Sequence, residues 1–249
     1  MTSVFIRNFT FAALPAAGLN DQPQFHGLLA KCDFDVNEYR DELFAVYGIA
    51  FPGSLQKAVT KRRAEYLAGR FVARQVLNML EARDYPLVNG IDRAPLWPTG
   101  LIGSISHNNQ RALCTAQIIT PAGEAIEASS RRHGIGLDIE SLIAVERAAN
   151  LWPGILSQEE HHCFQDGLLP FNQLLTLAFS AKESLFKAVY PQLGRYFDFL
   201  EVKLLSYSLE TGRFELQLLR ELSEDFPSGR CFIGCFTLND SDVQTFIAY

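Results

Sequence analysis

Asp138 and Glu140 stand two residues apart inside an apolar run of Ile135, Leu137 and Ile139. In a strand, that spacing sends both carboxylates to one face and the three aliphatic side chains to the other. Like charges side by side repel, and near a core they need a compensating cation. Further along, Phe179-Ser180-Ala181-Lys182-Glu183-Ser184-Leu185-Phe186-Lys187 reads as helix, with Glu183 and Lys187 on one face at i,i+4. Asp138, Glu140 and Glu183 together suit a hard divalent cation such as Mg2+, which takes carboxylate, phosphate and water oxygens. Lys182 and Lys187 beside that cation would meet the phosphate charge it leaves unbalanced. The plain alternatives are solvent-facing strand carboxylates and a surface Glu–Lys pair worth about 0.2–0.5 kcal/mol. The two segments occurring together favour the metal–phosphate reading.

Other candidates are weaker on their own. Lys61, Arg62, Arg63, Arg70 and Arg74 lie along one helical stretch, and 63, 70 and 74 form a partial basic stripe. Such a stripe is often only a solvated face. Gly103-Ser104-Ile105-Ser106-His107 lacks the second glycine of a nucleophile elbow. Ser106 and His107 at a strand end could instead donate hydrogen bonds to a phosphate, or simply cap the strand. His161, His162 and Cys163 are consecutive in a helix and fan out, so they are not a ligand set. Cys231 and Cys235 are expected to be buried small apolar residues.

These groups must be carried by an ordinary globular chain. It has 249 residues, 48% hydrophobic and 20% charged, enough for one large domain or two lobes with a sizeable core. A net charge of -6 argues against general nucleic-acid binding, so anionic ligands must be met by local Arg and Lys clusters. Five cysteines without metal spacing fit a reducing compartment. Pro15 interrupts the apolar stretch after Arg7, which is therefore read as mature sequence. No uncharged apolar run approaches the roughly 18 residues of a membrane span. A cytoplasmic protein is expected.

The elements follow from periodicity. A strand is expected near Val4–Phe11 and a short helix near Val36–Val46, with the rest of residues 1–53 in loops. Leu55, Val59, Leu67, Phe71, Val76, Leu77 and Leu80 recur at helical spacing, with Ser54 as N-cap and Pro86 beyond the end. Residues 92–103 form a loop feeding strands at Ser104–His107 and Ala112–Thr120, and 121–133 is a polar connection. Ser157-Gln158-Glu159-Glu160 has the form of a capping box, and a second major helix spans Phe171–Val189. Alternation over Val202–Leu209, Arg213–Leu219 and Cys231–Leu238 predicts antiparallel strands.

In this order the segments resemble the phosphopantetheinyl transferases of the surfactin-synthetase-activating type, nearest the enterobactin synthetase component D subgroup. The resemblance rests on Lys61–Arg70, Pro95-Leu96-Trp97-Pro98, Gly103–His107, Gly136–Glu140 and Phe179–Lys187. It implies an α+β fold of two similar, pseudo-duplicated lobes, each a small antiparallel sheet on a long helix, with the active site in the cleft between them. The N-terminal lobe, 1–125, would recognise the phosphate and adenine of coenzyme A, and the C-terminal lobe, 126–249, would hold metal and pyrophosphate. Asp138, Glu140 and Glu183 match the acidic positions that hold Mg2+, and Lys187 matches a pyrophosphate-binding lysine, with Lys182 assisting. Arg62, Arg70, Arg93, Ser106 and His107 match positions that recognise the coenzyme's 3'-phosphate and adenosine. Asn108 departs from the cysteine that relatives often carry. The implied activity is Mg2+-dependent transfer of 4'-phosphopantetheine to a serine of an apo carrier domain of a nonribosomal peptide synthetase, in siderophore synthesis, by a monomer. Glu183 is the candidate base. A Mg2+-dependent phosphohydrolase acting on a nucleotide, and a non-catalytic carrier-binding module using Leu151, Trp152 and Leu156, are the rival readings.

Overall fold

The structure, a computed structural model, describes residues 4–12, 25, 27–119, 133–165 and 167–249. They fall into two compact units, one within residues 4–119 and the other within 133–249. The expected boundary at 125/126 lies outside the described residues. Both units are α+β, with a purely antiparallel sheet and one long helix each, as the resemblance implied.

In the first unit the sheet order is β1-β2-β4-β3, with β1 Ile6–Ala12, β2 Leu28–Phe34, β3 Leu101–His107 and β4 Arg111–Ile118. The expected 36–46 helix divides into a 3-10 turn, Val36–Glu38, and a single turn, α1, Leu43–Val46. Asp35 caps the 3-10 turn by accepting from the Asn37 N–H at 3.0 Å. The long helix α2 spans Thr60–Met79 and starts six residues after the expected Ser54 cap. Residues Gly53–Leu55 form a separate 3-10 turn, and Val59 precedes the helix without a side-chain cap. Arg63 reaches back instead, donating to the Leu55 carbonyl at 3.1 Å and the Gln56 carbonyl at 2.7 Å, with Asp41 at 2.7 Å. Arg74 likewise donates to the carbonyls of Tyr47 and Gly48. These two arginines staple loops to the helix.

One apolar face of α2, with Leu67, Val72, Val76 and Leu77, packs on β2, β4 and β3. Gly69 permits the close approach: a Cβ there would lie 3.1 Å from Ile105 Cγ2 and 4.0 Å from His107 Cδ2. Ile105 and His107 thus face the helix, while Ser104 and Ser106 alternate to the other side of the sheet and are buried.

The second unit has sheet order β5-β9-β8-β7-β6. Its elements are β5 Ile135–Ser141, α3 Val145–Leu151, α4 Gln158–Gln165, α5 Phe171–Leu193, β6 Val202–Ser208, β7 Arg213–Leu218, β8 Cys231–Leu238 and β9 Asp242–Ala248. The capping box at the start of α4 is present: Ser157 N–H donates to Glu160 Oε2 at 2.9 Å, and Glu160 N–H donates to Ser157 Oγ at 3.1 Å. Helix α5 lies across β5 and β9, burying Leu174, Leu177, Ala178, Ala181, Leu185 and Ala188. Cys235 is buried as expected, whereas Cys231, at the start of β8, is exposed. Among the described residues no helix is long and apolar enough to cross a membrane.

Candidate active site

Gly136, Asp138 and Glu140 share one face of β5, and that face looks at α5. A Cβ on Gly136 would overlap the carbonyl oxygen of Ser184, so the glycine lets the helix backbone ride directly on the strand. Side chains one turn to either side then reach Asp138. Lys187 Nζ donates to Asp138 Oδ1 at 2.6 Å and to the Leu137 carbonyl at 3.2 Å. Ser180 Oγ donates to Asp138 Oδ2 at 2.8 Å. A carboxylate that is 2% exposed therefore has both oxygens engaged, which is what burying its charge requires.

Glu140 and Glu183 complete the acidic group. Burial first, then the Asp138 charge, pushes the Glu140 carboxyl up to about 7; Lys187 opposes the shift and Glu183 adds to it. Burial also raises Glu183, with Lys187 opposing and Asp138 adding. Among the described residues these three carboxylates thus share the charge of Lys187. They feel one another's field, yet among the described residues no three His, Cys, Asp or Glu side chains close into a metal cage. The donor chemistry still fits a hard divalent ion: all oxygens, partly buried, and short of positive charge.

The Glu140 shift carries a stability consequence. Its folded value of about 7 lies above the ordinary 4.5, so between those pH values the folded chain holds a proton that the unfolded chain has lost. Stability from this group falls as pH rises through that window, and the penalty is complete above pH 7. Glu140→Gln is therefore expected to raise the melting temperature of the protein in EDTA at pH 8 and to change it little at pH 5, in paired thermal melts.

Lys182 does not join this site. It is fully buried on the adjoining side of α5, with Nζ donating to the Ile155 carbonyl at 2.7 Å and paired with Glu160 Oε1 at 2.9 Å. Glu160 also accepts the Leu204 N–H at 2.9 Å. The pair bolts α4, α5 and β6 together, and the expectation that Lys182 assists phosphate binding is corrected. Consecutive helical residues lie about 100° apart, which separates Lys182 from Glu183.

In the first unit the basic residues form two groups. Arg62 Nη1 donates to His107 Nε2 at 3.0 Å, with Glu65 Oε2 3.8 Å from both Arg62 Nη1 and His107 Nδ1. Burial raises the Glu65 carboxyl, against Lys61 and Arg62. Ser106 faces away from this group, so the expected Ser106–His107 pair is not assembled as side chains. Arg70 lies along the same helix, its guanidinium 4.6 Å over the Tyr66 ring and hydrogen-bonded to Asn89. Among the described residues its buried Nε has no hydrogen-bond partner. Arg70, Arg74, Arg93, Asn89 and Tyr66 line a cavity of about 680 Å³. Arg70 and Arg93 thus line one cavity. Asn89 and Tyr66 were not singled out by the sequence reading; Asn89 arrives through a bridge pairing with Pro95 that no local pattern announces. Of the apolar residues suggested as a docking surface, Leu156 is buried and Trp152 is stacked on His161 at 3.9 Å. Leu151, the third of them, is exposed, so only part of that rival's surface lies outside the core.

Two sheets of this kind, with an acidic strand set against a Glu–Lys helix, define a class. Residues 51–117 match the 4'-phosphopantetheinyl transferase N-terminal domain, and residues 134–228 match the 4'-phosphopantetheinyl transferase superfamily. The chain belongs to the 4'-phosphopantetheinyl transferase superfamily. Within it, the chain is 39% identical over 156 residues to enterobactin synthase component D of Salmonella typhimurium, a match covering 63% of this chain and 59% of the relative. It is 36% identical over 154 residues to enterobactin synthase component D of Escherichia coli K12, covering 62% and 66%. To the 4'-phosphopantetheinyl transferase Npt of Nocardia iowensis it is 28% identical over 205 residues, covering 78% and 86%. The chain spans about six-tenths of the length of the enterobactin synthase relatives it matches.

Proposed function

We propose that the protein transfers the 4'-phosphopantetheine of coenzyme A to a serine hydroxyl of an apo carrier domain, releasing 3',5'-ADP. The observation that carries this is the Asp138–Lys187 pair flanked by Glu140 and Glu183, in a chain of this superfamily. Arg70 and Arg93 bind coenzyme phosphate in their cavity, and Arg62 with His107 adds a second cationic contact. Lys187 faces the pyrophosphate and supports the charge that develops on the leaving phosphate. Asp138, Glu140 and Glu183 hold Mg2+, which when bound polarises the phosphoanhydride. Glu183, its carboxyl raised by burial, takes the serine proton as the oxygen attacks the pantetheine-bearing phosphorus. The bond to the bridging oxygen breaks, and its electron pair leaves on 3',5'-ADP. Carrier domains of nonribosomal siderophore synthetases are the proposed acceptors, from the similarity to enterobactin synthase component D.

The test mixes protein, coenzyme A, Mg2+ and an apo carrier, then weighs the carrier by intact mass spectrometry. A phosphopantetheine mass increment is expected. Phosphate or nucleotide released without any acceptor modification would favour a phosphohydrolase instead. Within this reading, Arg62→Ala is expected to raise KM for coenzyme A about tenfold with kcat nearly unchanged, since an exposed cation contacts substrate and transition state alike. Steady-state kinetics at varied coenzyme A checks the split.

A further inference from the structure

Behind Asp138 lies a buried line of hydroxyl groups that the proposed chemistry does not use. Thr245 on β9 is the cross-strand partner of Asp138 on β5. Its Oγ1 lies 2.8 Å from Ser180 Oγ and 2.6 Å from Ser184 Oγ, and also 2.8 Å from the Ser180 carbonyl. Ser184 Oγ is also 3.1 Å from the Thr245 carbonyl. All three side chains are essentially inaccessible, at 0%, 1% and 0% exposure for Ser180, Thr245 and Ser184.

The direction of this line is set at its end. An ionised carboxylate only accepts, so Ser180 must give its proton to Asp138 Oδ2. Ser180 Oγ can then only accept, and Thr245 Oγ1, 2.8 Å from both Ser180 Oγ and the Ser180 carbonyl, divides its one proton between those two acceptors. Ser184 Oγ likewise has both the Thr245 carbonyl and Thr245 Oγ1 within reach, so the three hydroxyls form one buried network that terminates on the carboxylate. With Lys187 on Oδ1, it locks the plane of the Asp138 carboxyl against rotation.

We infer that Ser180 and Thr245 are positioning residues for Asp138, with Ser184 as the outer member, and that this hydroxyl line sets how tightly the acidic group takes a divalent cation. The inference rests on the metal role proposed for Asp138. It reaches Thr245, more than a hundred positions along the chain, by sheet register alone. Partners that orient a ligating carboxylate commonly govern metal affinity by about 10- to 100-fold.

The test measures Mn2+ binding to the full chain by the loss of free-ion electron paramagnetic resonance signal, with and without coenzyme A. Thr245→Val keeps the shape and removes the hydroxyl, while Thr245→Ser restores the hydroxyl. Ser180→Ala is expected to weaken Mn2+ binding at least about tenfold and Thr245→Val by several-fold to about tenfold. Ser184→Ala should have the smallest effect, and Thr245→Ser should lie within about twofold of the wild type. The Mg2+ concentration for half-maximal carrier modification should rise in the same order. Unchanged Mn2+ affinity in Ser180→Ala and Thr245→Val, or Thr245→Ser as weak as Thr245→Val, overturns the inference while leaving the transfer reaction standing. A wild-type chain that binds no Mn2+ with or without coenzyme A removes the metal role and this inference together. Should Thr245→Val not fold, as judged by its melting curve, Ser180→Ala decides.

Discussion

Asp138→Ala is expected to lower carrier modification by about a thousandfold or more, while the protein remains folded. The carboxylate holds Lys187 by a 2.6 Å contact and terminates the hydroxyl line from Ser180, and in the proposed reaction it would also supply an oxygen to the cation. Removing a single preorganised electrostatic partner typically costs about 10²–10³ in rate, and here the change also misdirects the lysine. The stability cost is smaller than for a fully buried pair, for which about 3–5 kcal/mol is usual. The Lys187 side chain is 25% exposed and can turn to water once its partner is gone. A modest fall in melting temperature together with a near-complete loss of product is the expected pattern. Intact-mass assays at saturating coenzyme A and Mg2+ check it, with Arg62→Ala as the comparison. Activity within tenfold of wild type, at unaltered folding, would remove Asp138 from the centre of the mechanism.

How much of this site could be read from the chain depends on how local its signals are. The β5 alternation and the α5 face lie within short windows, so Asp138, Glu140, Glu183 and Lys187 were legible as a group. The partner choice of Lys187 was not: it bonds Asp138 across the strand–helix contact, which requires knowing which strand the helix covers. Lys182 misleads for a related reason. Its charge suggests a ligand contact, but its direction on α5 commits it to Glu160, a residue visible in the sequence only as half of a capping box. The same holds for Arg63 and Arg74, whose charges serve backbone carbonyls of loops. Strand β2 escaped although Lys31 and Asp33 alternate with Ala30, Cys32 and Phe34, because two of those apolar members are small and the surrounding Pro and Gly read as loop. Thr245 carries no local mark at all.

The glycine that brings α5 onto β5 supports the second large expectation. Gly136→Ala places a methyl group against Ser184 carbonyl oxygen, with the Ser184 carbonyl carbon at 2.6 Å and the Ala188 nitrogen at 3.0 Å. These are backbone atoms of a central helix turn, so no side-chain rotation relieves the overlap. The helix must lift, and it carries a long buried apolar face that includes Leu177, Ala181 and Leu185. Ordinary overpacking of a core costs about 1–3 kcal/mol. A clash with backbone on both sides of a helix turn should exceed that, at about 4 kcal/mol or more, the range reserved for broken cores. For a chain of this size that corresponds to a fall of about 10 °C or more in melting temperature. Ser180 and Lys187 would move with the helix, so any soluble variant should lose the Asp138 contacts and with them metal binding. Gly154→Ala, at a position with open space around it, is the control and should melt like the wild type. A Gly136→Ala protein that melts within about 2 °C of the wild type and binds Mn2+ normally would show that the strand and helix can part without cost. The close seating of α5 on β5 would then not be what assembles the acidic group.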